Sequence, residues 1–432
     1  MSNIQLLGVS RSAAARSLAQ RDEEHCFDYK LPAGTPPVER NKATIPPTNS
    51  NVGFNQNTVF KLAAWGLMEM CYLKLVMKHN VAIPRTDAGG QLHEDAFAKG
   101  IGCVDEISLR THDREIERLT STRILDFINN QNEQTRKRYI EAASVEQAGG
   151  ANVTSTTTWK NANEEVVFYI PLPFSFCKSK RTFLPLKFLQ DLEIHCKLKT
   201  PDAFLQLYTK AGANTTKQTY TPTLTNACRL MVNYISPTST VVNKKLNADF
   251  KNKQEPLSIL QLNRYDETVK EVAALSGGAT SQDVRIDLNC NYYVKHTTVR
   301  VVLASDLTSG NNQLPNGHTY QKINKITLQA AGQTLYEATG AENLLLDQAH
   351  FTSNAENIPI VYKFMPQITP DSDWKTSPVR HVGGISYEML NNPQLVLNIS
   401  NAGAANVYVS HEYHNVVSVD PRSGSVSLIF SS

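Results

Sequence analysis

The chain has 432 residues, of which 41% are apolar and 19% charged, and its formal net charge is +3. That length predicts two or three domains, each able to bury a core, and the composition excludes a disordered chain. The near-neutral balance argues against a dedicated nucleic-acid surface. The one basic run, Arg136-Lys137-Arg138, lies beside Glu133 and Glu141 and reads as a solvated helix face.

Residues 1–55 form a polar arm in which Ala33-Gly34-Thr35-Pro36-Pro37 and Ile45-Pro46-Pro47 break regular elements, so an extended tail is predicted. It is either free or ties one subunit to its neighbour. Strands are expected at 58–63 and 72–77, where β-branched and aromatic residues gather. Residues 122–145 change period: Ile124, Ile128, Thr135, Tyr139 and Ala142 fall on one helical face, so 121–163 is a long, partly helical excursion. An apolar run, 166–176, and a cleanly alternating strand, 192–198, follow. Residues 209–223 read as a loop, 228–235 as a strand, 240–251 as a short amphipathic helix and 258–265 as a strand. Ser276-Gly-Gly-Ala-Thr280 is the best linker. Further strands are expected at 283–293, 297–303, 358–364, 395–399, 407–413 and 425–430.

Within this order lies a repeat. Residues 104–127 align without a gap on 323–346: Val104 falls on Ile323, Ile107 on Ile326, Leu109 on Leu328, Ile116 on Leu335 and Thr120 on Thr339. Both copies alternate apolar and polar, turn at a polar patch, and alternate again, the pattern of strands with one buried face. A two-strand unit occurring twice predicts two similar β domains. The expected fold class is all-β: two tandem antiparallel sandwiches with a partly helical loop insertion. The divisions are an arm 1–55, a first sandwich 56–270 containing the loop 121–163, a linker 271–282 and a second sandwich 283–432.

No apolar run approaches the roughly 18–20 residues that span a bilayer, and residues 1–20 carry no signal-peptide pattern, which predicts folding in a cytosol-like compartment. Seven cysteines (Cys26, Cys71, Cys103, Cys177, Cys196, Cys228, Cys290) lack CxxC spacing and read as free thiols. The sequons at Asn152, Asn214 and Asn398 are expected to be chance matches.

Chemistry-bearing patterns are thin. GxxxxGK[ST] and GxSxG are absent. His411 and His414, three apart on a strand, point to opposite faces and cannot share one metal. Glu115 and Glu117 could pair as in a glycosidase, but Arg114 and Arg118 beside them favour a salt-linked surface. No catalytic, cofactor or metal residue is therefore assigned.

Phe168-Tyr-Ile-Pro-Leu-Pro-Phe-Ser-Phe176, followed by Leu184-Pro-Leu186 and the 192–198 strand, resembles the first-domain core of double jelly-roll major capsid proteins of eukaryotic double-stranded DNA viruses. Leu230–Ile235 resembles the end of that first roll. Gly383–Tyr387 through Asn391–Leu395 resembles a strand entry of the second, and 407–430 its closing strands. Ser175 departs from the family, which often has a large aromatic there. The resemblance spans most of 55–432 and three lineages: giant-virus, virophage and polinton-like.

The resemblance implies that both sandwiches are jelly rolls, and a homotrimer whose six similar rolls make a pseudo-hexagonal tile of an icosahedral shell around a double-stranded DNA genome. It implies neighbouring capsomers, penton and minor capsid proteins as partners, a place in the virion after synthesis in the host cytosol, and no sequence-specific nucleic-acid contact. Contact with an internal membrane or the genome stays open. Loops 121–163 and 209–223 are then expected to face outward or lie between subunits. Two alternatives stand beside it: a tandem β-sandwich protein that binds or cleaves carbohydrate, and a viral minor capsid or spike protein.

Overall fold

The computed structural model describes residues 38–48, 51–64, 66–78, 83–84, 100–111, 114–129, 133–143, 158–160, 165–177, 184–186, 189, 191–201, 207–211, 214–218, 221–237, 257–275, 279–288, 293–303, 321–343, 362–364, 385–387, 390–401, 403–420 and 425–428. The first part contributes β1 (Val38–Ile45), β2 (Asn57–Lys61), β3 (Leu67–Lys78), β4 (Ile83–Pro84), β5 (Val104–Thr111), β6 (Arg114–Leu119), β7 (Thr158–Lys160), β8 (Glu165–Pro171), β9 (Leu184–Pro185), β10 (Leu192–Leu198), β11 (Leu207–Ala211), β12 (Asn214–Gln218), β13 (Thr223–Leu224) and β14 (Arg229–Pro237). The second contributes β15 (Leu257–Val272), β16 (Gln282–Asp287), β17 (Tyr293–Leu303), β18 (Ile323–Ala330), β19 (Gln333–Thr339), β20 (Tyr362–Phe364), β21 (Ile385–Ser386), β22 (Gln394–Ile399), β23 (Ala405–Val419) and β24 (Val426–Leu428). Helices α1 (Ser121–Asn129) and α2 (Glu133–Ala142) follow β6, and the single turn α3 (Gly340–Glu342) follows β19.

Each part is a sandwich of a six-stranded and a four-stranded antiparallel sheet, and strand order recurs between them. In the first roll β1-β14-β3 carries β8 and β9 on β3, opposite β2-β10-β5-β6. In the second β15-β23-β17 carries β20 and β21 on β17, opposite β16-β22-β18-β19. These are the two similar β domains expected from the repeat, and together they form the double jelly roll that the resemblance implies.

The recurrence extends to single residues. β5 pairs with β6 through Ile107↔Leu119 with a bulge after Leu109, and β18 pairs with β19 through Ile326↔Ala338 with a bulge after Leu328. Thr120 Oγ1 accepts from the Arg123 N–H at 3.3 Å to start α1, and Thr339 Oγ1 accepts from the Glu342 N–H at 3.2 Å to start α3. Asp191 and Asn392, each just before its strand, both take positive φ (47° and 51°), a conformation their short polar side chains tolerate. The Leu189 N–H donates to Leu186 O as the Leu390 N–H does to Tyr387 O. The β18–β19 hairpin turns on Ala331 and Gly332 with φ of 49° and 76°, the left-handed pair that matches strand twist in a two-residue turn.

Period-two burial explains each core. Leu192, Ile194, Cys196 and Leu198 face the first core, and Leu395, Leu397 and Ile399 face the second. Each such side chain taken from water contributes about 1.5–3 kcal/mol.

Three expectations differ from the structure. The arm stops short of residue 55, because 38–45 pair with Leu230–Pro237 of β14; Ala43 and Ile45 are half-buried there despite the prolines that follow. Strand 257–272 belongs to the second roll through fifteen residues of pairing with β23. The rolls therefore divide between Pro237 and Leu257, and 276–280 joins β15 to β16 inside the second roll rather than linking the two. The expected loop 209–223 contains the hairpin β11–β12 and the strand β13. Residues 1–37 and the expected helix at 240–251 lie outside the described residues.

Candidate functional site

The feature that sets this chain apart from two separate sandwiches is the seam where they meet. β23 and β15 are unusually long, fifteen and sixteen residues, so each spans about 50 Å at the usual rise of a strand. Val407 and Val409 of β23 lie in the second core, whereas Val417 and Val419, with Val426 of β24, pack in the first. One strand thus serves both cores. β15 runs past β6 and past the buried turn Ser175–Cys177 of the first roll.

Polar groups fix the angle of this contact. Arg123 of α1 reaches Glu412 of β23, Nη1 to Oε2 at 2.6 Å, with both side chains under one-tenth exposed. Arg114 Nη1 donates to the Val426 carbonyl at 3.2 Å. On the second roll, Ser410 Oγ donates to Glu267 Oε2 at 2.8 Å, and the buried Arg300 lies 3.8 Å from the same carboxylate oxygen. Lys199 Nζ donates to Ser121 Oγ at 3.2 Å. Burial lowers the Lys199 pKa, partly offset by Asp105, Cys103 and Glu267, in that order. Basic groups of the first roll therefore meet acidic groups of the second. A buried ion pair adds little net stability but holds one geometry, because breaking it leaves a charge without water.

Beside the seam, the sequence expectation for Glu115 and Glu117 requires correction. Glu117 is buried, not surface-exposed: its oxygens accept the Ser175 backbone N–H at 2.9 and 3.1 Å and the Ser175 hydroxyl at 2.9 Å. Glu115 lies half-buried and binds Arg118 at 3.1 Å and Arg110 at 3.3 Å. The two carboxylates serve different partners. Ser175, where a large aromatic was expected by resemblance, supplies two donors to a buried anion. The signal available in the sequence was a lone polar residue inside the apolar run 168–176.

His411 is also more buried than an ordinary half-buried strand position. Its Nδ1 lies 2.9 Å from Thr297 Oγ1, its ring meets Tyr387 edge-on at 5.5 Å, and burial lowers its pKa to about 4. The side chain of His414 lies outside the described residues. Among those described, no group of three His, Cys, Asp or Glu side chains is placed to hold a metal ion, and no helix is long and apolar enough to cross a membrane. Cys71, Cys103, Cys177, Cys196 and Cys228 are free, as expected; Cys26 and Cys290 lie outside the described residues.

The excursion 121–163 holds two helices. Ile124 and Ile128 of α1 are fully buried in the first core, and Tyr139 of α2 stacks obliquely on Phe127 at 5.9 Å. Its first helix therefore lies in the seam within one chain. Arg138 and Lys137 of α2 are exposed, in keeping with a solvated face.

Two packed jelly rolls of equal strand order, joined by a mixed apolar and ionic seam, define a double jelly roll. Residues 42–236 match the family model described as major capsid protein N-terminus. The fold of the whole chain is that of the double jelly-roll major capsid proteins. It is similar to the PBCV-1 virus capsid quasi-atomic model, with a TM-score of 0.63 at 14% identity over 94% of this chain and 100% of that one. The Faustovirus major capsid protein gives 0.57 at 8% over 90% and 93%, and the mavirus major capsid protein 0.54 at 8% over 90% and 89%. At these identities the likeness is one of fold. No curated protein matches the sequence.

Proposed function

We propose that the chain is a major capsid protein that assembles as a homotrimer, three double rolls forming a pseudo-hexagonal tile of an icosahedral shell around a double-stranded DNA genome. The observation that carries this reading is the duplication itself. Two rolls of the same strand order, held at one angle by Arg123–Glu412 and the shared apolar cluster, give three chains six similar units. Closed cyclic assembly then buries the flanks of each roll. Tiles meet neighbouring tiles, with penton and minor capsid proteins at the vertices, in the virion; synthesis is in the host cytosol. The work done is shape and adhesion, without bond chemistry and without sequence-specific contact to nucleic acid.

The test is the mass of the purified chain in solution together with negative-stain images. A species near three times 48.0 kDa that forms hexagonal outlines supports the proposal. A monomer at all concentrations overturns it.

A further inference from the structure

The seam inside the chain has two halves, and each half has an equivalent elsewhere on the same chain that is left open. On β6, Glu117 and Leu119 lie opposite the core residues Leu109 and Ile107. Ile116 lies on the other face of the strand, yet it is 0% exposed, packed in the cluster to which the second roll contributes Val417, Val419 and Val426. At the same offset along β19 stands Leu335. It too lies on the face away from its core partners Tyr336 and Ala338, and it is 45% exposed. The roll edge that is covered in the first half is bare in the second.

The ionic half of the seam repeats in the same way. Arg123, third residue after the capping Thr120, corresponds to Glu342, third after the capping Thr339, and Glu342 is exposed. The receiving residue Glu412 lies opposite His296, beside the bulge of β17 between Val294 and His296, and its equivalent is Asn233, opposite Met70 beside the bulge of β3 between Met68 and Met70. Across the sheet Glu412 pairs with Tyr265, while Asn233 pairs with the exposed Lys42. The sign of charge is therefore exchanged: base on the edge and acid on the face inside the chain, acid on the edge and base on the face at the open positions.

We infer that the open edge of β19–α3, with Leu335 and Glu342, docks on the outer face of β1–β14, with Lys42 and Asn233, of a second copy of this chain. Leu335 is covered there as Ile116 is within the chain, and Glu342 faces Lys42. Edge and face are different patches, so the contact runs head to tail and closes only as a ring. This inference rests on the trimer reading above and adds the residues that close the ring. The reversed charges keep the edge of the second roll from pairing with its own acidic face, a repulsive selection against the wrong partner.

The experiment is light scattering over a concentration series on the full chain, with variants Leu335→Asp, Lys42→Glu, Glu342→Lys, Glu342→Gln and the exchange Lys42→Glu/Glu342→Lys. Leu335→Asp and Lys42→Glu are each expected to weaken trimer association roughly tenfold or more. Glu342→Gln, which keeps an acceptor for the Thr339 N–H, should weaken it less than Glu342→Lys. The double exchange should recover most of the loss, a rescue that misfolding cannot produce. Melting of the dilute single chain should not change for Leu335→Asp and Lys42→Glu, because these side chains are exposed in it. Trimers of Leu335→Asp and Lys42→Glu as tight as wild type would overturn this surface while leaving the trimer standing. A wild-type chain that never trimerises would remove both.

Discussion

Arg123 and Glu412 stand 2.6 Å apart across the boundary of two rolls, 289 residues apart in sequence, each side chain almost out of reach of water. The pair is a buried ionic link between the halves, and its value lies in what its loss exposes. Arg123→Ala or Glu412→Ala alone should destabilise the chain by about 3–5 kcal/mol, whereas Arg123→Met with Glu412→Leu should cost far less. Urea unfolding of the three variants measures this. Equal losses in the single and double variants would mean that the pair acts by packing rather than by charge.

Glu117 and Ser175 give a second test. Ser175→Ala removes one charge-assisted bond to a buried carboxylate and should cost about 1.5–3 kcal/mol. Glu117→Ala should cost more, because it strips the acceptor from a buried N–H and leaves a void. Denaturant midpoints report the order; a milder Glu117→Ala would show that water enters the turn at 175–177.

His411 makes stability depend on pH. Burial lowers its folded pKa from 6.5 to about 4, so between those values the unfolded chain takes up a proton that the folded chain refuses. Its contribution is whole above pH 6.5 and falls away as pH drops towards 4, by about 3 kcal/mol in all. His411→Gln should flatten that part of the curve of unfolding free energy against pH. An unchanged slope would place the acid sensitivity elsewhere.

Thiol labelling probes the cores. Burial pushes Cys103 and Cys71 far up and Cys196, with a smaller push from Cys228, to about 12, so little thiolate forms in the folded chain at neutral pH. Native labelling followed by mass spectrometry should find Cys71, Cys103, Cys196 and Cys228 unmodified, with Cys177 the most reactive of the five described. Fast labelling of Cys196 would mean that β10 opens locally.

The fold was legible because its main signals are local. Alternation at Val104–Thr111 and Ile323–Ala330 states the strand period, and the gapless alignment of the two copies states the duplication. The boundaries were less legible because strand pairing is not local. Residues 38–45 are polar without a break from Glu39 to Lys42 and read as tail until β14 lies beside them. Leu257–Val272 follows the first roll in sequence and joins the second only through β23. The seam was hidden for a related reason: Glu117 and Arg123 have the spacing of surface residues, and only contacts from distant strands take them out of water. His411 lacked any local sign of its burial.

β23 starts among the side chains of one sandwich and finishes among those of the other, and this has a bearing on how the molecule can be divided. Heating should melt the two sandwiches in a single transition, since loosening either one frees a shared rod from both. A gene fragment ending at Pro237 would leave the first sandwich without Val417, Val419 and Val426, with a greasy flank open to aggregation. The duplication has thus left the first half without independent existence, since it is finished only by the far end of the second.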